Sequence, residues 1–275
     1  MTFGSLFAGI GGFDLGLERA GMECRWQVEI DDYASRVIAK HWPHVQRWGD
    51  VRTFPPGPAE EWRVDLICAG VPCQPVSHAG KQKGADDERW MWGEALRVVA
   101  DIKPTFFVAE NPIGILNHDG GRTFRGLLRA LASVGYVCEW HVIAAADVGA
   151  PHRRQRVWLV AYANGGGLAR ERLTEHGDEQ SSRGDQPDRC GAWGLRARQA
   201  FADAQYSGRQ GRDTKGQGAG AVVSSGWWVA EPDVGRVAHG IPNRVDRLRC
   251  LGNAVVPQIV ELIGRAIIQF QEVET

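Results

Sequence analysis

Short apolar runs alternate with amphipathic stretches along the first 163 residues of the chain. The apolar runs predict β-strands at 3–7, 25–29, 64–69, 105–109, 137–144 and 156–161. Apolar residues at helical spacing predict helices at 32–41, 92–102 and 123–134, and a first helix that follows a glycine turn and runs through Gly21. This alternation predicts an α/β fold: a doubly wound, mostly parallel sheet covered by helices on both faces.

The composition changes at about residue 164. Residues 164–240 are rich in Gly, Arg, Asp, Gln and Ser and contain few apolar runs. Two interpretations stay open for them: a disordered linker, or a small recognition domain that presents polar side chains to a large partner. Beyond them, 257–270 carries apolar residues at helical spacing, which need a core to cover them. We therefore predict a main domain over 1–163, an insertion over 164–240, and a segment over 241–275 that returns to the main domain.

Charge and cysteine content narrow the class of protein. The formal net charge of −1 excludes a uniformly basic nucleic-acid binder, so any such binding must come from local patches. No stretch approaches the apolar length that spans a membrane, and the N-terminus shows no secretory pattern. The six cysteines include no CxxC pair, which argues against zinc, and a disulfide framework is not expected in a chain of this length. These features predict a cytoplasmic protein with free thiols.

Two predicted strand ends carry reactive side chains. The strand at 64–69 leads to Pro72 and Cys73, and the strand at 105–109 runs into Glu110. Open α/β sheets bind ligands at the carboxyl ends of their strands. A thiol beside a carboxylic acid at that edge suggests covalent attack on an electrophilic ring, with the acid supplying a proton. The alternative is that the cysteine is a small buried hydrophobe, as Cys68 is expected to be.

A glycine turn lies between the first strand and the first helix. Residues 7–14 read Phe-Ala-Gly-Ile-Gly-Gly-Phe-Asp, and glycines there let a ligand approach the backbone at the helix N-terminus. The turn departs from the dinucleotide fingerprint, because Asp14 occupies the third glycine position. Glu29 ends the next strand, where an acid can bind both ribose hydroxyls of a nucleoside. Asp50 could accept a hydrogen bond from an adenine amino group. The alternative for both acids is ordinary helix capping.

Taken in order, these motifs resemble those of the C5-cytosine DNA methyltransferases. The resemblance spans nearly the whole chain outside 165–240. It is carried by the glycine turn, Pro72-Cys73-Gln74, the Gly-Lys-Gln-Lys-Gly run at 80–84, Glu110-Asn111, the pair Arg154 and Arg156, and the Gly-Asn-Ala-Val-Val-Pro run at 252–257. Each motif is common by itself, but their ordered succession is specific. The resemblance implies a Rossmann-like methyltransferase sheet, S-adenosylmethionine as methyl donor, no metal, and a flipped cytosine in double-stranded DNA as substrate.

The resemblance also implies a role for each matching residue. Cys73 would add to cytosine C6, Glu110 would protonate or hydrogen-bond N3 and the exocyclic amine, and Arg154 or Arg156 would hold the cytosine O2 and orient Glu110. The loop at 76–89 would be a lid that closes over the extruded base. The residues expected to bind the cofactor are Phe7, Gly9, Gly11, Gly12, Glu29, Asp50, Pro72 and Asn253. The residues expected to contact substrate in or beside the lid are Gln74, Ser77, Lys81, Lys83 and Arg89.

Three departures from the family pattern bear on rate and target choice. Pro112 stands where the family usually has Val, and His152 stands where it usually has Gln. The segment that usually links the recognition domain to the C-terminal helix is shortened and keeps little beyond 247–248. None of these departures removes a catalytic group, so we expect activity, with the DNA recognition sequence left open.

Three other functions use some of the same residues. The same chemistry on transfer RNA is the main alternative. A nicotinamide oxidoreductase would use the glycine turn but would leave Cys73, Glu110 and Arg154 without a role. A catalytically inactive DNA-binding protein is disfavoured because both Cys73 and Glu110 are retained. The sequence thus favours a monomeric enzyme on duplex DNA, with a cognate restriction endonuclease, acting separately, as a conceivable companion.

Overall fold

A computed structural model of the protein describes residues 1–72, 91–163 and 242–274. Cys73, Gln74, the predicted lid and the predicted insertion lie outside these ranges. The strands are β1 Thr2–Leu6, β2 Glu23–Val28, β3 Gln46–Trp48, β4 Leu66–Ala69, β5 Phe106–Pro112, β6 Tyr136–Ala144 and β7 Gln155–Ala163. The helices are α1 Gly12–Arg19, α2 Asp32–His41, α3 Trp92–Ile102, α4 Arg122–Ser133, α5 Arg244–Asn253 and α6 Pro257–Glu274.

The strands form a single seven-stranded sheet in the order β3-β2-β1-β4-β5-β7-β6. Every neighbouring pair from β3 to β5 is parallel. The chain winds outwards from β1 towards β3, and the later strands continue from β4 in the opposite direction. The boundary between β1 and β4 is therefore a topological switch point, where sheets of this kind bind ligands. The predicted doubly wound, mostly parallel α/β fold is confirmed.

One end of the sheet departs from the parallel pattern. Strand β7 lies between β5 and β6 and is antiparallel to both. The connection from β6 to β7, residues 145–154, is short, whereas a parallel neighbour needs a crossover of about a dozen residues or more. The chain therefore turns back as a hairpin, a reversal that the apolar pattern of the two strands did not reveal.

Helices cover both faces of the sheet and create two hydrophobic cores. On one face, α1 and α6 pack with the inward side chains of β1, β4 and β5. On the other face, α3 and α4 supply the covering layer. Gly16 of α1 permits the contact with α6, since a Cβ atom there would lie 2.4 Å from Cβ of Val260 and 2.6 Å from the Pro257 carbonyl oxygen. This close packing of α1 on α6 supports the glycine turn at the start of α1.

The C-terminal helix belongs to this core. Helix α6 begins at Pro257, as predicted, and buries Ile259, Ile263 and Ile267 almost completely. By length and composition alone, the helical stretch 244–272 could cross a membrane, which the sequence prediction did not anticipate. The residues that make it apolar include those packed on the core, as in the core helix of a globular domain.

Candidate active site

The glycine turn holds its backbone in a conformation that few residues tolerate. Phe7, Gly9 and Gly11 all have positive φ angles, of 53°, 56° and 84°. A Cβ atom on Gly11 would lie 2.3 Å from the Trp42 ring, so packing as well as φ requires glycine there. A Cβ atom on Gly9 would meet nothing within 4 Å, so this side of the turn is open. A non-glycine residue at positive φ, such as Phe7, is uncommon and concentrates at ligand sites.

Asp14 explains why the turn departs from the dinucleotide fingerprint. It is fully buried, and its carboxylate accepts hydrogen bonds from Ser5 Oγ at 3.1 Å and from Gln27 Nε2 at 2.7 Å. The Cys24 thiol donates a third, longer bond to it. Burial raises the pKa of Asp14, and the bonds from side chains partly oppose that rise. The side chain that replaces a glycine thus fastens α1 to β1 and β2 beneath the turn.

Glu29, just past the end of β2, is bound to the same turn. Its Oε2 accepts a hydrogen bond from the Gly9 amide at 2.7 Å, and its Oε1 accepts one from the Asp31 amide at 2.7 Å. Burial raises the pKa of this carboxyl group, while the backbone donors act in the opposite direction. A carboxylate has about four acceptor positions, so two remain for the hydroxyls of a ligand. The structure therefore brings Phe7, Gly9 and Glu29 together.

The other predicted cofactor residues are placed differently. Asp50 follows β3, caps the short 3₁₀ turn 51–53, and forms an ion pair with Arg52 at 2.7 Å, which lowers the pKa of the Asp50 carboxyl. Asn253 is the last residue of α5 and is exposed. Pro72 follows the buried Val71 and is the last described residue before 91. Among the described residues, no hydrogen bond joins these three to the turn.

A cavity of about 630 Å³ opens beside the glycine turn. Gly11 and Gly12 line one side of it, and Leu251, Ala254 and Val255 from the C-terminal segment line another. Its volume falls in the range of small-molecule sites, about 300–1,000 Å³. The described residues that line it do not include Phe7, Gly9 or Glu29, so the cavity adjoins the turn on the side away from that acid's contacts. Backbone amides at a helix N-terminus and an acid placed for ribose hydroxyls fit a nucleoside-bearing cofactor.

Glu110 lies at the carboxyl end of β5 and is more than nine-tenths buried. The antiparallel register pairs Pro112 with Arg156, and this brings Arg156 Nε to 2.9 Å from Glu110 Oε1. Burial raises the pKa of Glu110 to about 7, even though Arg156 and Arg154 act to lower it. Near neutral pH the acid is therefore divided between its protonated and ionised forms, as a group that exchanges protons must be.

Asn111 connects this acid to the strand end beside it. Its side-chain Nδ2 donates to the Val71 carbonyl oxygen at 3.2 Å and to the Glu110 carbonyl oxygen at 3.0 Å. Val71 precedes Cys73 by two positions in the sequence. The described part of the chain therefore contacts the end of β5 two residues before the predicted nucleophile.

Arg154 and Arg156 have separate partners. Arg156 pairs with Glu110, whereas Arg154 Nη2 donates to the carbonyl oxygens of Gly252 at 2.8 Å and Ala254 at 2.6 Å. Arg154 also has a positive φ of 35°. Sequence reasoning left open which arginine would orient Glu110. In the structure Arg156 makes that contact, and Arg154 holds the C-terminal segment.

Sequence reasoning missed one further pair near the site. Arg249 of α5 forms an ion pair with Asp31 at 2.7 Å, and Asp31 caps α2 by accepting a hydrogen bond from the Ala34 amide. An aspartate directly before a predicted helix is a cap signal that could have drawn attention to Asp31. Nothing in the sequence links Asp31 to an arginine so far along the chain.

Comparison with known proteins gives a consistent result. Residues 1–204 match the sequence profile of the family described as C-5 cytosine-specific DNA methylase. The chain is 36% identical over 166 residues to the Type II methyltransferase M.BsuFI of Bacillus subtilis, an alignment that covers 59% of this chain and 39% of that protein. It is 34% identical over 170 residues to M.HhaI of Haemophilus parahaemolyticus, covering 60% of this chain and 50% of that protein. The alignments thus span half or less of these relatives' length.

Two solved structures share this fold. A putative DNA modification methyltransferase encoded within an Escherichia coli prophage superposes with a TM-score of 0.62 at 19% identity and covers 99% of both chains. The Dnmt2 methyltransferase of Schizosaccharomyces pombe superposes with a TM-score of 0.57 at 14% identity, covering 100% of this chain and 99% of that one. At such low identity these likenesses establish the architecture alone.

Proposed function

Since the chain belongs to the C-5 cytosine-specific DNA methylase family, we propose that it transfers a methyl group from S-adenosylmethionine to C5 of a cytosine flipped out of duplex DNA. The observation that carries this proposal is Glu110: a buried acid with a pKa of about 7, held by Arg156 at the carboxyl edge of the sheet. Asn111, the residue after Glu110, donates a hydrogen bond to Val71 in the segment that leads into Cys73. An acid and a nucleophile at neighbouring strand ends suit covalent activation of a ring.

The proposed chemistry follows from the weakness of cytosine C5 as a nucleophile. The Cys73 thiolate forms a bond to C6, the displaced electron pair reaches N3, and the proton of Glu110 neutralises it there. The ring is left with an electron-rich double bond at C5. When bound, S-adenosylmethionine supplies an electrophilic methyl group. Once C5 carries the methyl group, N3 returns its proton to Glu110. A base then accepts the C5 proton, and elimination of the thiolate restores the aromatic ring and releases Cys73.

The proposal assigns the binding of the cofactor to the glycine turn and its surroundings. Glu29 would accept the ribose hydroxyls with the acceptor positions that the amides of Gly9 and Asp31 leave free. Asp50 would accept the adenine amino group while it remains paired with Arg52. Phe7, Gly11, Gly12, Pro72 and Asn253 would complete the pocket.

The proposal extends to partners and assembly. We assign DNA recognition to residues 164–240 and closure over the flipped base to the loop at 76–89, both outside the described residues. The curated relatives are Type II methyltransferases, and by analogy a cognate restriction endonuclease, acting separately, would share the recognition sequence. We propose that the enzyme acts as a monomer in the cytoplasm.

A parallel assay on two nucleic acids tests the proposal. The purified chain is incubated with labelled S-adenosylmethionine and either duplex DNA or transfer RNA, and the methylated position is read by bisulfite sequencing. We expect label in DNA, at cytosine, within one sequence context. Product on RNA alone would overturn the choice of substrate. Duplex DNA that carries 5-fluorocytosine should trap a covalent adduct with the wild-type chain, because fluorine cannot leave as the proton does.

A further inference from the structure

We propose that Arg249 is a positioning residue that clamps helix α5 over the cofactor site through its ion pair with Asp31. The inference rests on the proposed function, because it concerns the retention of the cofactor. Arg249 Nη2 lies 2.7 Å from Asp31 Oδ2. It also lies 3.2 Å from Asp246 Oδ1, one turn earlier in the same helix.

The ion pair is linked by a hydrogen bond to Glu29, the acid expected to bind the cofactor ribose. The Asp31 amide donates to Glu29 Oε1, and Glu29 Oε2 accepts from the amide of Gly9 in the glycine turn. Arg249 is thus connected through Asp31 and Glu29 to the turn that would hold the cofactor. A displacement of Arg249 would act on the side chain expected to bind the ribose.

Among the described residues, few other contacts hold helix α5 against the protein. None of its residues is buried, and its apolar side chains Val245, Leu248 and Leu251 are 79%, 57% and 63% exposed. Hydrophobic burial, which fixes most helices, therefore contributes little to its position. Polar contacts take its place: Arg249 secures the middle of the helix, and Arg154 binds the carbonyl oxygens of Gly252 and Ala254 at its end.

The position of α5 determines the shape of the cavity. Leu251 in its last turn and Ala254 directly after it line the same cavity as Gly11 and Gly12 of the glycine turn. If α5 moved away from Asp31, that wall of the cavity would move with it. Arg249 should therefore govern how fast a bound nucleoside leaves, with a smaller influence on the methyl-transfer step itself.

The expected effect is modest, because both side chains are partly solvated, with 50% of Arg249 and 30% of Asp31 exposed. For a pair of this kind we expect loss of the contact to speed dissociation by about two- to fivefold. The difference should shrink as salt is added, since added ions screen partly exposed charges.

The test measures the dissociation rate of S-adenosylhomocysteine from the full chain by stopped-flow tryptophan fluorescence. Arg249→Ala removes the guanidinium. Asp31→Asn removes the charge but keeps the side-chain oxygen that caps α2, because asparagine caps as well as aspartate. Arg247→Ala is the matched control: Arg247 lies in the same helix, is exposed, and has no ion pair with any described residue. Melting temperatures report whether each variant folds.

We expect both single variants to release the ligand faster than wild type and the Arg247→Ala control. The double variant should be no faster than the faster single variant, because both substitutions break one contact. Arg249→Lys should restore part of the wild-type rate. An Arg249→Ala rate equal to that of the control, or additive effects in the double variant, would overturn the inference while leaving the proposed function intact. Failure of the wild-type chain to bind either S-adenosylmethionine or its product would overturn both.

Discussion

The cofactor region and the catalytic edge each hold a glutamate at or just past the end of a strand, partly buried in Glu29 and buried in Glu110, and its partners differ between the two sites. Glu29, beyond β2, is held by two backbone amides. Glu110, at the end of β5, faces a guanidinium from the antiparallel strand β7. Burial raises the pKa of both groups, and in Glu110 the pKa reaches about 7.

The difference lies in what each environment permits the carboxyl group to do. Backbone amides cannot move away or lose their protons, so they hold Glu29 as a fixed acceptor, which suits binding. Glu110 is nearly enclosed by the apolar sheet, and desolvation there outweighs the attraction of Arg156. Its proton can therefore be given up and regained near neutral pH, which suits chemistry. Substitutions should separate these two functions.

The largest effect should come from the thiol. Cys73→Ala should abolish methyl transfer while leaving the affinity for S-adenosylmethionine close to wild type, because the nucleophile belongs to the catalytic edge alone. Single-turnover methylation of duplex DNA and calorimetric titration of the cofactor measure the two quantities. Cys68→Ala is the matched control: Cys68 is fully buried inside β4, burial raises the pKa of its thiol, and its loss should leave transfer intact. Wild-type turnover by Cys73→Ala would disprove the mechanism.

Glu110→Gln should have the next largest effect. We expect transfer to slow by about 10²- to 10⁴-fold, the usual contribution of a positioned acid. The sign of the pH dependence follows from the raised pKa: the protonated form of Glu110 is lost as pH rises through about 7, so kcat/KM should fall on that side. In Glu110→Gln this decline should disappear. A rate unchanged from wild type, or a decline that persists in the variant, would exclude Glu110 as the acid.

Glu29→Gln should affect binding instead of the chemical step. A glutamine amide has one oxygen, yet the carboxylate accepts from two backbone amides, so its NH₂ group would face a donor. With the charge lost as well, we expect the Kd for S-adenosylmethionine to rise by about 10- to 100-fold. The single-turnover rate at saturating cofactor should stay near wild type. If that rate fell as far as it does in Glu110→Gln, the division between the two acids would be wrong.

The smallest effects should be on stability and should distinguish the helices of the two faces. Gly16→Ala would place a methyl group 2.4 Å from Val260 between α1 and α6, so we expect a loss of about 1–3 kcal/mol in the free energy of unfolding. Gly126→Ala in α4 is the control, since its Cβ would meet nothing within 4 Å, and alanine there should stabilise the protein by about 0.5–1 kcal/mol. Chemical denaturation measures both changes. Equal effects would show that α1 tolerates displacement from α6.

Local sequence patterns predicted most of the elements and their order. Helices α2 and α3 begin and end at the predicted residues, and the six predicted strands differ from prediction by only a few residues at their ends. Strand β3 and helix α5 were not predicted, because β3 has only three residues and α5 buries none. Hydrophobic periodicity and capping residues involve only a few neighbouring positions, so they can be recognised in the sequence without knowledge of tertiary contacts. The strand-end positions of Glu29 and Glu110 followed for the same reason.

Only the tertiary structure determined how the strands pair and which side chains come into contact. The antiparallel placement of β7 depends on pairing with β5, a strand that is distant in sequence. This placement brings Arg156 beside Glu110, while Arg154 binds the C-terminal segment. The contact between Arg249 and Asp31 joins residues that are remote in sequence. The pKa of about 7 for Glu110 arises from desolvation, which depends on every atom packed around the side chain and has no signature along the chain.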